Sequence, residues 1–177
     1  GLGGAYCSLA LDASNRPHIS YQDTTNYDLK YARWNGTGWE IQTIDAPGVV
    51  GFYSSMALDS SGNPHICYYD ASNGYLKYAR WNGTAWVKQT VDSVGDVGAY
   101  CSLSLDSSNR PHISYQDVTN GDLRYAKWTG SAWTKQTVDS VGNVGAYCSL
   151  ALDSANNPRI SYQDTTNGTL KYAKLSG

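Results

Sequence analysis

Larger apolar residues alternate with small or polar ones along most of this chain, and each alternating stretch stops at a cluster of turn formers. The first such stretch, Tyr6-Cys7-Ser8-Leu9-Ala10-Leu11-Asp12, sets leucines against small residues with period two, which predicts a strand packed on both faces. Asp12-Ala13-Ser14-Asn15-Arg16-Pro17 then reads as a turn, with the proline where it is tolerated, at the first residue of the next strand. Residues 18–23 predict a second strand and residues 29–34 a third. Between these two, the later part of the chain carries Asn73-Gly74, Asn120-Gly121 and Asn167-Gly168, the dipeptide suited to the positive φ angles of a tight hairpin turn. A further turn, Asn35-Gly36-Thr37-Gly38, leads to a fourth strand over residues 39–45. About seven residues rich in Gly, Val and Pro then return to a new copy of the same pattern.

The pattern repeats with a fixed period. Tyr6, Tyr53, Tyr100 and Tyr147 stand 47 residues apart, and the third and fourth copies agree at 22 of 31 aligned positions from Tyr100 and Tyr147 onward. A four-stranded meander of this size cannot bury both of its faces, so the copies must stack on one another. Repeated four-stranded units of this length predict an all-β chain: a β-propeller of antiparallel meander blades over residues 5–51, 52–98, 99–145 and 146–177. Four copies disfavour the three-fold β-trefoil. The fourth copy stops after its third strand, with Leu175 where the other copies have Trp34, Trp81 and Trp128, so the last blade lacks its outer strand. Small residues such as Ser8, Ala10, Ser102 and Ala151 place strand one innermost, where strands crowd together, and the Trp-bearing strands outside.

The run Leu58-Asp59-Ser60-Ser61-Gly62-Asn63-Pro64-His65-Ile66, followed by Tyr-x-Asp, resembles the Leu-Asp-x-x-Gly-Asn hairpin of NHL-type and related bacterial propeller blades. It also resembles the Asp-box turn of sialidase-like propellers, except that Ile66 stands where an aromatic is expected. The resemblance covers all four copies and implies the propeller fold. It says little about function, because that fold carries lectins, hydrolases and scaffolds alike.

Composition narrows the function classes. Only 16% of residues are charged, with 13 basic against 15 acidic, so no basic stripe exists for nucleic acid. No apolar run is long enough for a transmembrane helix, and no membrane insertion is expected. The opening residues Gly1-Leu2-Gly3-Gly4 read as neither a signal nor a transit peptide, so the chain is taken as mature or a fragment.

In a repeat protein, a polar residue present in every copy serves the blade, and a site made once should appear as a departure from the repeat. Asp12, Asp59, Asp106 and Asp153 recur where a turn begins and predict Asx turns. His18, His65 and His112 recur at the start of strand two, but Arg159 breaks the set, which argues against a metal ring. The loop Asp23-Thr24-Thr25-Asn26-Tyr27-Asp28 is explained by hairpin chemistry, because Tyr75 and Thr169 replace its last residue in other copies. No metal and no cofactor are expected. Glu40 is the sole glutamate, and nothing separates an acid from a base among the repeated aspartates, so no catalytic residue is assigned and the chain is read as non-enzymatic. Cys7, Cys101 and Cys148 share one repeat position with Ser54, which predicts small buried side chains with free thiols.

The aromatics carry the positive signal. Trp34 with Trp39, Trp81 with Trp86, and Trp128 with Trp133 bracket each turn between strands three and four. Such pairs either form platforms for a sugar ring or pack on each other across the hairpin, and the second is favoured. Asn35, Asn82 and Asn167 begin Asn-x-Thr sequons in hairpin turns, where an N-glycan could be carried by a secreted protein. The sequence therefore reads as a secreted or cell-surface binding or structural module. Its expected partners are other copies of itself or further repeats of a longer chain. A multivalent carbohydrate-binding lectin is the alternative, and a sialidase-like glycoside hydrolase comes third.

Overall fold

The structure, a computed structural model, describes residues 3–175. The first blade consists of β1 (Gly4–Leu11), β2 (Pro17–Asp23), β3 (Asp28–Trp34) and β4 (Trp39–Asp45). The second has β5 (Val50–Leu58), β6 (Pro64–Asp70), β7 (Tyr75–Trp81) and β8 (Trp86–Asp92). The third has β9 (Val97–Leu105), β10 (Pro111–Asp117), β11 (Asp122–Trp128) and β12 (Trp133–Asp139). The fourth has β13 (Val144–Leu152), β14 (Pro158–Asp164) and β15 (Thr169–Lys174), with no fourth strand among the described residues. In each sheet, neighbours in sequence are neighbours in space and pair antiparallel. These are the blades of a β-propeller, and they converge on their first strands, with β1, β5, β9 and β13 lying side by side. None of the described residues forms a helix that could cross a membrane.

Two local features differ from the sequence reading. The connection between β2 and β3 is a four-residue loop rather than a two-residue turn. Asp70 pairs with Tyr75, the Gly74 N–H donates to the Asp70 carbonyl at 2.8 Å, and only the glycine of each Asn-Gly pair has positive φ. In the first copy Tyr27 takes that left-handed place at φ 60°. Strand one also begins earlier than expected in the later blades, at Val50, Val97 and Val144, because a β-bulge lets pairing continue past the tyrosine that recurs in each copy. Tyr6, Tyr53, Tyr100 and Tyr147 have φ between 50° and 54°, a left-handed conformation that a tyrosine adopts only where surroundings hold it. The rings supply that hold, stacking from blade to blade with centroids 5.0, 4.4 and 4.4 Å apart.

Three kinds of contact join consecutive blades. A small side chain on the following blade donates to the carbonyl of that left-handed tyrosine: Ser54 Oγ to Tyr6 at 2.7 Å, Cys101 Sγ to Tyr53 at 3.1 Å and Cys148 Sγ to Tyr100 at 2.9 Å. Apolar clusters fill each joint, as where Leu29, Tyr31 and Ile44 meet Val50, Met56, Ile66 and Tyr68. Finally, an aspartate ending each fourth strand gathers groups from the next blade, so that the buried Asp45 receives Tyr68 Oη at 2.8 Å, Lys77 Nζ at 2.6 Å and Lys88 Nζ at 2.7 Å. Burial opposes the charge on Asp45, yet these three donors hold its carboxyl below the usual carboxylate range. All four cysteines are free, and three are buried. Ala151, assigned by sequence to the crowded interior, is exposed, because no blade follows the fourth one among the described residues.

Candidate functional site

Each turn between strands one and two is built on its aspartate. Asp12 Oδ1 accepts the backbone N–H of Ser14 at 2.8 Å and of Arg16 at 2.9 Å, and Asp59, Asp106 and Asp153 repeat the arrangement. These hydrogen bonds, led by the one from Arg16, bring the Asp12 carboxyl down to about 2. The fourth residue of the turn is left-handed in every copy: Asn15, Gly62, Asn109 and Asn156. In the third and fourth blades this asparagine reaches back to the preceding blade and clasps it. Asn109 accepts from Ser60 N at 3.1 Å and donates to Ser60 Oγ at 2.8 Å, and Asn156 does the same to Ser107 at 3.0 and 3.0 Å.

The joint between the first two blades has Ala13 and Gly62 at those positions, so neither side-chain half of the clasp exists. A cleft of about 750 Å³ opens there, with Ala13 and Gly62 in its lining. That volume lies within the usual range for small-molecule sites, roughly 300–1,000 Å³. At the joint between the third and fourth blades, where the clasp is formed, the recess is about 240 Å³ and Leu175 lies in its wall.

The cleft mixes aromatic faces with fixed charges. His18 and Tyr31 from the first blade lie in it, the imidazole Nδ1 2.6 Å from the phenol oxygen, while Nε2 faces Asp12 at 3.6 Å. Burial keeps His18 neutral by lowering its pKa and pushes the Tyr31 phenol up to about 12, so the phenol donates to a neutral imidazole at neutral pH. The same Asp–His–Tyr line recurs at Asp59–His65–Tyr78 and Asp106–His112–Tyr125, and therefore belongs to the blade architecture. Arg16 is tied to Asp12 at 2.8 Å. Arg33, exposed at the rim, pairs with Glu40 at 2.7 Å, and hydrogen bonds from Asn35 and Arg33 keep that carboxyl low.

Of the six tryptophans singled out by sequence, the structure brings Trp34, Trp81 and Trp86 to this cleft. The pairs pack across their hairpins with centroids 5.7, 5.8 and 5.5 Å apart. The second member also wedges against the preceding blade. Trp86 meets Tyr31 edge-on at 5.2 Å and donates Nε1–H to Gln42 at 2.7 Å, and Trp133 repeats this with Tyr78 and Gln89. Trp39 lies instead on the open outer face of the first blade beside Ile41, and Trp128 lies at the outer turn of the third blade. The sequon asparagines are engaged within their turns: Asn35 and Asn82 accept from Thr37 and Thr84, while Asn167 donates to Asp164 at 2.9 Å. Among the described residues no group of three or more His, Cys, Asp or Glu is arranged to hold a metal ion. Sequence reasoning missed Ala13 and Gly62, although both were visible as departures from Ser60, Ser107 and Ser154 and from Asn15, Asn109 and Asn156.

No protein-family model and no curated protein matches the chain. Solved structures do match in fold. The SapL1 lectin, solved in complex with alpha methyl fucoside, aligns with a TM-score of 0.68 and 14% identity, over 99% of this chain and 64% of the lectin. A fucose lectin from Kordia zhangzhouensis, solved with methyl-fucoside, gives a TM-score of 0.50 and 22% identity, over 73% of this chain and 96% of that one. A Hadza microbial sialidase, Hz136, aligns at 0.67 with 13% identity, over 99% of this chain and 45% of the enzyme. At these identities the similarity establishes the β-propeller fold. The chain spans a little under two thirds of the SapL1 lectin.

Proposed function

We propose that this protein is a carbohydrate-binding module whose principal site is the cleft between its first two blades. The observation that carries the reading is the missing clasp at Ala13 and Gly62, which opens one joint of an otherwise regular repeat onto Trp34, Trp81 and Trp86 beside Arg16 and Arg33. A pyranose has one apolar face and a rim of hydroxyls. An indole face suits the first, and guanidinium and carboxylate groups held in place suit the second. The fold shared with two fucose-binding lectins supports this class of ligand, and a terminal deoxy sugar is the natural first probe.

We read the site as binding rather than catalytic. Asp12 and Glu40 are held below the usual carboxylate range, the Tyr31 phenol is pushed up to about 12, and burial lowers the His18 pKa so that its imidazole is neutral. At neutral pH the carboxylates are charged while the phenol and imidazole are neutral, a set of fixed acceptors and donors suited to holding sugar hydroxyls. A lectin of this kind fits a secreted or surface location. Screening on a glycan array, followed by calorimetric titration of the best ligand, tests the proposal. Saturable binding with one principal site per chain, lost in Trp81→Ala with folding retained, is expected; no retained glycan, or several equivalent sites per chain, would overturn it.

A further inference from the structure

We propose that the two end faces of this chain are halves of one further blade-to-blade joint, and that two copies associate head to tail through them. The observation is a set of exposed apolar residues whose repeat equivalents are all buried. Leu170 on the fourth blade is 82% exposed, whereas Leu29, Leu76 and Leu123 at the same position are fully buried. Leu9 on the first blade is 63% exposed, whereas Met56, Leu103 and Leu150 are 7 to 8% exposed. Isolated exposed leucines need no explanation, but these lie on opposite ends of the arc and at the positions that meet within each internal joint.

The correspondence extends beyond the leucines. Tyr31 and Tyr78 each receive a tryptophan from the following blade, Trp86 and Trp133. On the open ends the equivalents are Tyr172, exposed on the fourth blade, and Trp39, exposed on the first. The Tyr147 carbonyl and the exposed Cys7 thiol stand where Tyr6 and Ser54, Tyr53 and Cys101, and Tyr100 and Cys148 make their hydrogen bonds. The clasp is specific in the same way. It is absent between the first two blades, yet its halves are present at the ends, as Ser154 on the fourth blade and Asn15, already left-handed at φ 58°, on the first. Ile41 completes the fit. It lies exposed beside Trp39 and adds apolar area to this face, whereas its equivalents Lys88 and Lys135 bond an aspartate from the fourth strand of the preceding blade.

The occupant is therefore a second copy of this chain, its first blade seated on the fourth blade of its partner. Such a contact is heterologous, using different surfaces on the two copies, so it closes a ring or runs on according to the rotation at each step. The glycan cleft lies at a different joint, so failure of this proposal and failure of the lectin reading are separable.

Analytical ultracentrifugation of the 177-residue chain from dilute to concentrated solution tests the idea. Species larger than the 19.2 kDa monomer are expected to grow with concentration. Leu9→Glu and Leu170→Glu, both at exposed positions, should each be monomeric with unchanged thermal unfolding. An equimolar mixture of the two should form a one-to-one dimer that grows no further, because each variant keeps one intact face. A monomer at every concentration would overturn the proposal, as would self-association by either variant alone, or a mixture that stays monomeric.

Discussion

Trp86 touches two blades at once: its ring meets Trp81 across the hairpin and Tyr31 on the blade before, and its Nε1 proton goes to Gln42. Trp34 has only the first kind of neighbour. Replacing Trp86 by alanine should therefore cost about 3 kcal/mol of stability, and Trp34→Ala about 1 kcal/mol, as read from denaturant midpoints. Equal losses would contradict this division of roles. The hairpin pairing was legible in the sequence, because the two indoles flank a four-residue turn and must face each other. The wedge was not, since Tyr31 and Trp86 meet only once blades stack, and no local pattern fixes that spacing. The histidines make a second residue-scale statement. Burial lowers the imidazole pKa of His18, His65 and His112 below the ordinary 6.5, so the unfolded chain binds more protons than the folded one as pH falls below that value. Stability should be full above pH 6.5 and decline below it, with a further loss under pH 3.8 as Asp59 and Asp106, both held low, are protonated. His65→Gln should be less stable at neutral pH but flatter between those limits. A wild-type stability that does not fall below pH 6.5 would contradict the buried neutral state.

At the scale of elements, the strands were legible because period-two alternation was confirmed four times over by the repeat, and turn formers marked each end. The β-bulge at Tyr6, Tyr53, Tyr100 and Tyr147 was not, because a left-handed tyrosine has no intrinsic preference to advertise it. The one trace was a glycine two residues earlier in every copy, Gly4, Gly51, Gly98 and Gly145. In the later blades this glycine lets the strand pass close to the leucine of the preceding blade, and a Cβ at Gly98 would sit 2.7 Å from the Leu76 backbone. The innermost placement of strand one has a direct test. Ala10 packs against the cluster between the first two blades, so Ala10→Leu should overfill it and cost about 1–3 kcal/mol. Ala151, its equivalent on the open end, is exposed, and Ala151→Leu should change the stability of the dissociated chain by less than about 0.5 kcal/mol. Similar losses at both positions would place the fourth blade differently.

For the whole molecule, the repeat made the propeller architecture readable while concealing the site, because Ala13 and Gly62 depart from the repeat by losing groups and add no chemistry of their own. The distinctive cleft arises from two residues whose importance is what they lack. Ala13 has no hydroxyl to accept from a clasping asparagine, and Gly62 has no amide to offer. That makes the cleft unusually easy to close. The Gly62 backbone at φ 79° lies near the left-handed geometry of Asn109 and Asn156, and a Cβ built there meets nothing within 4 Å. Installing the repeat's own residues, Ala13→Ser with Gly62→Asn, should form the clasp seen at the other joints and raise stability by about 1 kcal/mol, the net worth of such hydrogen bonds. Calorimetric titration of this double variant beside the wild type, with the glycan that binds best, is the most direct measurement of the account. Binding should disappear while the unfolding midpoint stays level or rises. Undiminished binding by the stabilised variant would show that the sugar sits elsewhere.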